Sequence, residues 1–483
     1  MNQQELSVFA SEREIVLSAL RFNPDQFAAT LYSDRTTGPF WNRQTTTFSP
    51  YLKSNDANLC CLIGNLGNQV KPRLCLMSKV EPLAQQGKEG EILRVQIGDI
   101  RQPQYNILKV FNLEDLKSSF FNGSRNIPSM EEMFACFYPR TSQLTYLGSD
   151  TFTNEYLVGF LLDELYRRPQ DLPPAPFPGI NANALIPPFP SNAPQNSKLD
   201  GVTHFIASTI CNSGTSKKGT IIMEYADLGD IVNIVLNPLT SDFREAKVFI
   251  DQDNNEFQSN SLKLPIIIDI IKQVVVNLDF LHTEVEFNHG DLKAANLVVK
   301  SVPSNGNYKG VIWNSNFCVK LIDFAKSSLT INDNNGRRVR LFNYSAAAET
   351  YLGVFPFKPV LDSEFGEPYY IMDANFNASA LAVIRHMAIP FYFSWDTYTF
   401  IVSLLLIPEI FYPIMTNRIL KALLFDSLWF PDELSTIYTR IYSAILQGRP
   451  NSYTIITEIL KGLKLKCGAN SVLLNNLKSI GNY

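Results

Sequence analysis

The sequence predicts an α+β protein of two lobes, strand-rich first and mainly helical second, and three features predict it. Short runs rich in β-branched and apolar residues, Ile92–Ile97, Tyr105–Phe111, His204–Ser208 and Gly219–Met223, fall in the first half. Helical apolar periodicity takes over at Pro265–His282 and returns through 396–465. A short connector at 224–230 separates the two patterns.

At 483 residues, with 45% hydrophobic and 18% charged, the chain can bury a sizeable core. Its net charge of -4 gives no basic field of the kind that holds nucleic acid, so none is expected as a partner. The cysteines at 60, 61, 75, 136, 211, 318 and 467 are odd in number and lack C-x-x-C spacing. They read as reduced thiols in an intracellular, cytoplasmic setting. The histidines at 204, 282, 289 and 386 are too dispersed for a metal cluster, and the N-terminus lacks a signal-peptide pattern. Tyr398–Met415 is strongly apolar, yet Pro408, Glu409 and Pro413 interrupt it, which favours a buried helix over a membrane span.

In order along the chain, 1–78 is a leading extension whose Glu5–Leu20 stretch suits an amphipathic helix. The paired strand patterns follow, with Gly98-Asp99 in the turn between them. Thr153–Tyr166 carries an apolar stripe at Tyr156, Leu157, Phe160, Leu161 and Leu165. A Pro-rich insertion at about 167–200 interrupts the first lobe, since proline cannot donate backbone hydrogen bonds. The first lobe spans 79–223, and the second spans 224–483, including the C-terminal helices.

The chemistry concentrates in His289-Gly290-Asp291-Leu292-Lys293-Ala294-Ala295-Asn296, which runs into the apolar strand Leu297–Val299. Phosphoryl transfer needs a carboxylate to orient the attacking hydroxyl, a cation beside the transferred phosphate, and oxygen ligands for magnesium. Asp291, Lys293 and Asn296 supply those three in one loop. Asp323 emerges from the apolar run Val319–Ile322 and suits a second metal ligand. Either piece alone could be a surface turn with chance acidic residues; the two in this order make a specific pattern.

These residues resemble the protein kinase superfamily, whose signature reads H-R-D-L-x-x-x-N followed by D-F-G. His289, Asp291, Lys293, Asn296, Asp323 and Phe324 match it, and the likeness covers about residues 79–465. It implies a bilobed protein-kinase-like fold, ATP and magnesium (or manganese) as cofactors, and a protein substrate. The retained Lys293 implies a Ser/Thr kinase, and the insertions are similar to outlying kinases of large DNA viruses, acting in host cytoplasm or virion.

By the same likeness, Met223 stands as gatekeeper behind the adenine, Glu224 and Ala226 form the hinge, and Asp230 reaches the ribose. Lys109 is the strand lysine for the nucleotide phosphates, since a lysine in an apolar strand is costly unless paired. Glu155 is its helix partner, with Glu131 and Glu132 as alternatives. In the glycine-rich loop only Gly90 and Val95 align, and Leu93 takes the place of the third glycine. Asp396 is expected to cap its apolar helix and brace the catalytic loop.

Several positions depart from the family. Gly290 replaces the arginine that contacts a phosphorylated activation loop, which implies activity independent of such phosphorylation. Ala325 replaces the glycine after Asp323-Phe324, and no A-P-E follows; Ala347–Glu349 and Glu367-Pro368 are poor substitutes. Arg337, Arg338 and Arg340 form a small basic cluster, and Ser304–Asn307 reads as a turn. A pseudokinase serving as a binding module and a small-molecule phosphotransferase are the competing functions. The sequence does not specify an oligomeric state.

Overall fold

The computed structural model describes residues 77–83, 90–97, 104–112, 144–149, 151–167, 199–213, 216–250, 256–332, 338–343, 357–361, 368–372, 389–428, 434–448, 464–466 and 468–480. Helices and mostly antiparallel strands mix along them, an α+β arrangement. The leading extension up to residue 76, the alternatives Glu131 and Glu132, most of the Pro-rich insertion, Arg337 and Ala347–Glu349 lie outside the described residues. So does the turn at Gly98-Asp99.

The first sheet is built from β1 (Met77–Pro82), β2 (Gly90–Ile97) and β3 (Gln104–Asn112). Strand β4 (Leu144–Ser149) leads into helix α1 (Thr151–Arg167), and β5 (Phe205–Ser213) and β6 (Ser216–Glu224) complete the sheet. Its order is β1-β2-β3-β6-β5, with every neighbour antiparallel.

Directly paired residues share a face of a sheet, and successive residues alternate faces. Leu93 pairs with Leu108 and Val95 with Asn106, so these share one face. Ile92 pairs with Lys109, and Lys109 with Ile221, so these share the other. Helix α1 covers the Lys109 face. Phe152 meets Phe111 edge-on at 5.1 Å, and a side chain at Gly219 would strike the Phe152 ring. Burying Phe152 fully stabilises this packing by about 2–3 kcal/mol, and any larger residue at Gly219 would break it.

From β6 the chain drops through residues 225–228 to β7 (Gly229–Asp230), the short helix α2 (Ile231–Ile234) and a 3-10 turn (Pro238–Phe243). The hairpin β8 (Arg244–Ile250) and β9 (Glu256–Leu262) precedes α3 (Leu264–Val285). Helix α3 starts on a first-turn proline, ends on the left-handed Glu286, and is buried over most of its length, as a core helix should be.

After the 3-10 turn Ala294–Asn296 come β10 (Leu297–Lys300), β11 (Ser304–Tyr308), β12 (Val311–Ser315) and β13 (Cys318–Leu321). The turn expected at Ser304–Asn307 is strand β11 instead. The reversal sits at Lys309-Gly310, whose φ values of 49° and 89° suit a two-residue hairpin turn. Gly306 extends the strand because the Trp313 indole occupies the space a side chain would need.

Strands β14 (Ser328–Asn332) and β15 (Arg338–Asn343) form a hairpin, and β15 also pairs in parallel with β4. Arg338 and Arg340 occupy alternate positions of β15, opposite Leu144 and Tyr146. Strands β16 (Phe357–Leu361) and β17 (Pro368–Met372) precede α4 (Ile389–Leu405), α5 (Pro408–Thr416), α6 (Arg418–Leu428) and α7 (Leu434–Leu446). Strand β18 (Lys464–Lys466) pairs back to β17, and α8 (Ala469–Leu477) packs on α3 and α6. The second half is therefore less purely helical than its periodicity predicts, because short hairpins interleave with the core helices.

Among the described residues no single helix is long and apolar enough to cross a membrane. The apolar run divides into α4 and α5, bent by 98° where Pro408 starts the second helix. Trp395, Tyr398, Phe400 and Ile401 are buried in the core.

Candidate active site

The loop between α3 and β10 holds His289, Gly290 and Asp291, and a buried carboxylate fixes its shape. Asp396 accepts from the backbone N–H of His289 at 2.6 Å and of Gly290 at 3.0 Å. Asp396 lies inside α4, not at its start, so it braces the loop without capping the helix. Gly290 has φ 76°, a conformation open to glycine and strained for arginine, which gives its presence a backbone reason. The imidazole of His289 donates from Nε2 to the Ile322 carbonyl at 2.9 Å, and burial pushes its pKa down, favouring the neutral ring.

Within the loop, Lys293 Nζ lies 3.1 Å from Asp291 Oδ2. Lys326 Nζ approaches the same oxygen at 3.3 Å. Asn296 donates from Nδ2 to the Asp291 carbonyl at 2.8 Å, and its own carbonyl accepts from Ile322 N–H. The last bond sets Asp323 one residue beyond Asn296's backbone partner. Asp323 itself is left-handed, with φ 64°.

Lys109 joins the first sheet to this loop. Its Nζ lies 2.7 Å from Glu155 Oε2 on α1 and 3.0 Å from Asp323 Oδ1, residues 46 and 214 positions away. Burial alone would favour the neutral amine, but Asp323 and Glu155 raise its pKa far above the ordinary lysine value. For Asp323, burial opposes ionisation, and the Lys109 charge and hydrogen bond outweigh it, drawing the carboxyl down to about 2. Lys109 and Glu155 are buried, while the Asp323 side chain keeps 34% of its surface exposed.

Phe205, Phe324 and His289 form an aromatic column behind the pair, with ring centroids 5.9 and 5.7 Å apart, and Phe287 closes on Phe324 at 6.0 Å. Gly159 of α1 has no side chain because the Phe205 ring fills that space.

The remaining sequence-derived residues divide. Met223 is buried on β6, paired with Ile107 on the Lys109 face. Glu224 uses its backbone N–H on the His204 carbonyl at 2.9 Å and its carboxylate on Lys320 and Lys300. The Ala226 carbonyl accepts from Gly229 N–H at 3.3 Å, closing the connector turn. Asp230 caps α2, accepting from the Asn233 backbone at 2.8 Å and side-chain amide at 2.7 Å. It also pairs across strands with Val298.

Gly90 opens β2 opposite Phe111, while most of the loop before it lies outside the described residues. Val95 is not brought to the Lys109 face; register places it on the opposite side of the sheet, fully buried. Ile92, partly exposed and paired with Lys109, holds the position expected of Val95. Leu93 shares Val95's face, so it does not crowd the Lys109 side.

Sequence reasoning missed Lys326, Asn154 and Asn343. Lys326 follows Asp323-Phe324-Ala325 directly, and Asn154 precedes Glu155, so adjacency to a motif residue was the available signal. Among the described residues no three His, Cys, Asp or Glu side chains gather as a metal cage. Asp323 and Asn296 offer a carboxylate and an amide oxygen, donor types that magnesium accepts when further oxygens complete its shell. The donor chemistry therefore fits that ion. No protein-family model matches the chain, and no curated protein matches it.

Proposed function

We propose that the chain is an ATP- and magnesium-dependent phosphotransferase with a bilobed protein-kinase-like fold, acting on serine or threonine hydroxyls of a protein substrate. The observation that carries this reading is the meeting of Lys109, Glu155 and Asp323 beside the Asp291 loop. A buried lysine held by two carboxylates, one of them partly exposed, beside a loop that carries Asp291, suits a cation that receives nucleotide phosphates.

In this reading the described segment 224–230 forms the adenine hinge, with Met223 and Ile107 behind the base and Ile92 above it. Lys109, held by Glu155, contacts the nucleotide phosphates. Asp323 and Asn296 hold magnesium, which neutralises charge on the transferred phosphoryl group. Asp291 accepts a hydrogen bond from the attacking hydroxyl and orients its oxygen, while Lys293 and Lys326 bring two further cations to the same place. Positioning and charge stabilisation account for the chemistry without a covalent enzyme intermediate.

A pseudokinase serving as a binding module, motivated by the incomplete glycine-rich loop and the missing A-P-E segment, is the alternative that the test below separates. The β2–β3 register points Leu93 away from Lys109, so Leu93 itself does not crowd the Lys109 side. The test incubates purified protein with γ-labelled ATP, magnesium and a generic protein substrate, beside Asp291→Ala and Asp323→Ala. Transfer by the wild type, lost in both variants, is the expected result. Nucleotide binding without transfer would replace the enzyme with a binding module, and absence of both would overturn the reading.

A further inference from the structure

Asn154 sits one residue before Glu155 on α1 and is almost fully buried. Its side-chain amide donates to three backbone carbonyls in the segment just after Asp323. These are Phe324 at 3.0 Å, Ala325 at 3.2 Å and Ser327 at 2.8 Å. An amide has two N–H hydrogens, so one of the three contacts is shared.

A second buried amide repeats the arrangement: Asn343, at the end of β15, donates to the Ala325 carbonyl and to Thr151 Oγ1, at 3.2 Å, at the start of α1. The strands on either side add main-chain ties. β4, which feeds α1, lies parallel to β15, and β15 pairs with β14 just beyond Ser327. Ser327 Oγ in turn donates to the His289 carbonyl at 2.9 Å.

We propose that Asn154 and Asn343 are positioning residues that latch the Glu155 helix to the Asp323 turn, so that the Lys109–Glu155–Asp323 cluster is assembled without any phosphorylated residue. The inference rests on the phosphotransferase reading and adds how its site is held. Beside the amide contacts, Phe205 of β5, which fills the space over Gly159 of α1, meets Phe324 at 5.9 Å. Apolar contact is tolerant of sliding, whereas an amide that satisfies several carbonyls fixes one register. Removing the Asn154 amide takes this donor from the carbonyl of the buried Ser327, while the Phe324 carbonyl keeps the Ser327 N–H and the Ala325 carbonyl keeps Asn343.

The experiment compares wild type with Asn154→Leu, which keeps the volume and removes the donors. Amide hydrogen exchange is followed in the nucleotide-free protein, and magnesium-dependent tightening of ATP binding is measured by calorimetry. The latch predicts that amides of 324–332 exchange roughly tenfold faster or more, while those of α3 keep their wild-type rates. It also predicts that added magnesium tightens ATP binding in the wild type and much less in the variant, because Asp323 is no longer held. Unchanged exchange at 324–332, or an unchanged magnesium effect, would overturn the latch.

Faster exchange spread equally over α3 would mark Asn154 as general scaffolding and overturn it as well. Should Asn154→Leu fail to fold, Asn343→Ala carries the same two readouts with smaller expected changes, and Asn154→Gln, which keeps a donor, should recover part of the magnesium effect. A wild type that binds no ATP defeats the phosphotransferase reading; the exchange comparison still decides whether the latch exists.

Discussion

Two buried lysines in this molecule are each held by two carboxylates, yet they differ in what lies beyond them. Lys109 bridges Glu155 and Asp323, and Asp323 keeps a third of its side chain exposed. Lys320 bridges Asp200 at 2.8 Å and Glu224, and Glu224 also takes Lys300 at 2.7 Å and the His204 backbone N–H at 2.8 Å. In the second cluster the shared carboxylate is surrounded by donors from β10, β13 and the residue before β5. That cluster ties the end of the first sheet to the sheet carrying the Asp291 loop.

Charge count therefore does not separate a site from a scaffold. Nor does exposure of one carboxylate, since the Asp200 side chain is 37% exposed and that of Asp323 34%; what sets the Lys109 cluster apart is its place beside the Asp291 loop, where Lys326 Nζ of the Asp323 turn reaches Asp291 Oδ2. Glu224, on the connector expected to meet adenine, spends its side chain on Lys320, Lys300 and the His204 backbone. Any hinge role for Glu224 belongs to its backbone.

The largest effect that sharpens this contrast is at Asp291. Asp291→Asn should lower phosphoryl transfer by about 10²–10⁴-fold with the thermal midpoint nearly unchanged, read from initial rates at saturating ATP. Removing the shared carboxylate of the scaffold cluster should act the other way. Glu224→Gln leaves Lys320 buried with Asp200 as its remaining acid, and should cost about 3–5 kcal/mol in urea titration while the rate per folded molecule stays near wild type.

The same cluster sets a pH dependence. Burial opposes the Glu224 charge, but Lys320 and the hydrogen bonds from Lys300 and Lys320 outweigh it, taking the carboxyl from 4.5 down to about 2. A folded-state value below the unfolded one means stability that is complete above 4.5 and is lost as pH falls from there toward 2. Its share of the loss is roughly 3 kcal/mol, and Glu224→Gln should show a correspondingly shallower decline over that window.

A smaller effect tests the aromatic column behind Lys109. A methyl at Gly159 would lie 2.2 Å from the Phe205 ring. Gly159→Ala should destabilise the fold by about 1–2 kcal/mol, overpacking outweighing the gain in helix propensity. Phe205→Leu in that background should return part of the loss; additive losses would mean that the two positions do not share the space. The smallest expected change follows dephosphorylation. Protein treated to completion with phosphatase should keep its transfer rate within about twofold, a difference worth only a few tenths of a kcal/mol; a large fall would tie assembly of the site to a phosphate.

The legible part of this molecule was its local chemistry. Asp291, Lys293 and Asn296 stand in one short motif and contact one another, Asp323 follows in a second, and the apolar stripe of 153–166 fixed α1 to within a residue or two at either end. Val95 faces away from Lys109, which the sequence did not reveal because facing depends on strand parity and the run Ile92-Leu93-Arg94-Val95 has apolar residues on both faces. The turn placed at Ser304–Asn307 followed turn-forming residues, but packing of Trp313 on Gly306 decided the register. Lys326 and Asn154 stand beside motif residues, but their partners are fixed only when the Asp323 turn folds back against α1 and Asp291.

The most direct test of the contrast is one measurement, the rate of γ-phosphoryl transfer from ATP per folded molecule, made on Lys109→Met and Lys320→Met beside the wild type. The account predicts transfer by the wild type, a loss of about 10²-fold or more in Lys109→Met, and a rate close to wild type in whatever fraction of Lys320→Met folds. Equal rates for wild type and Lys109→Met, or no transfer by any of the three, would contradict it.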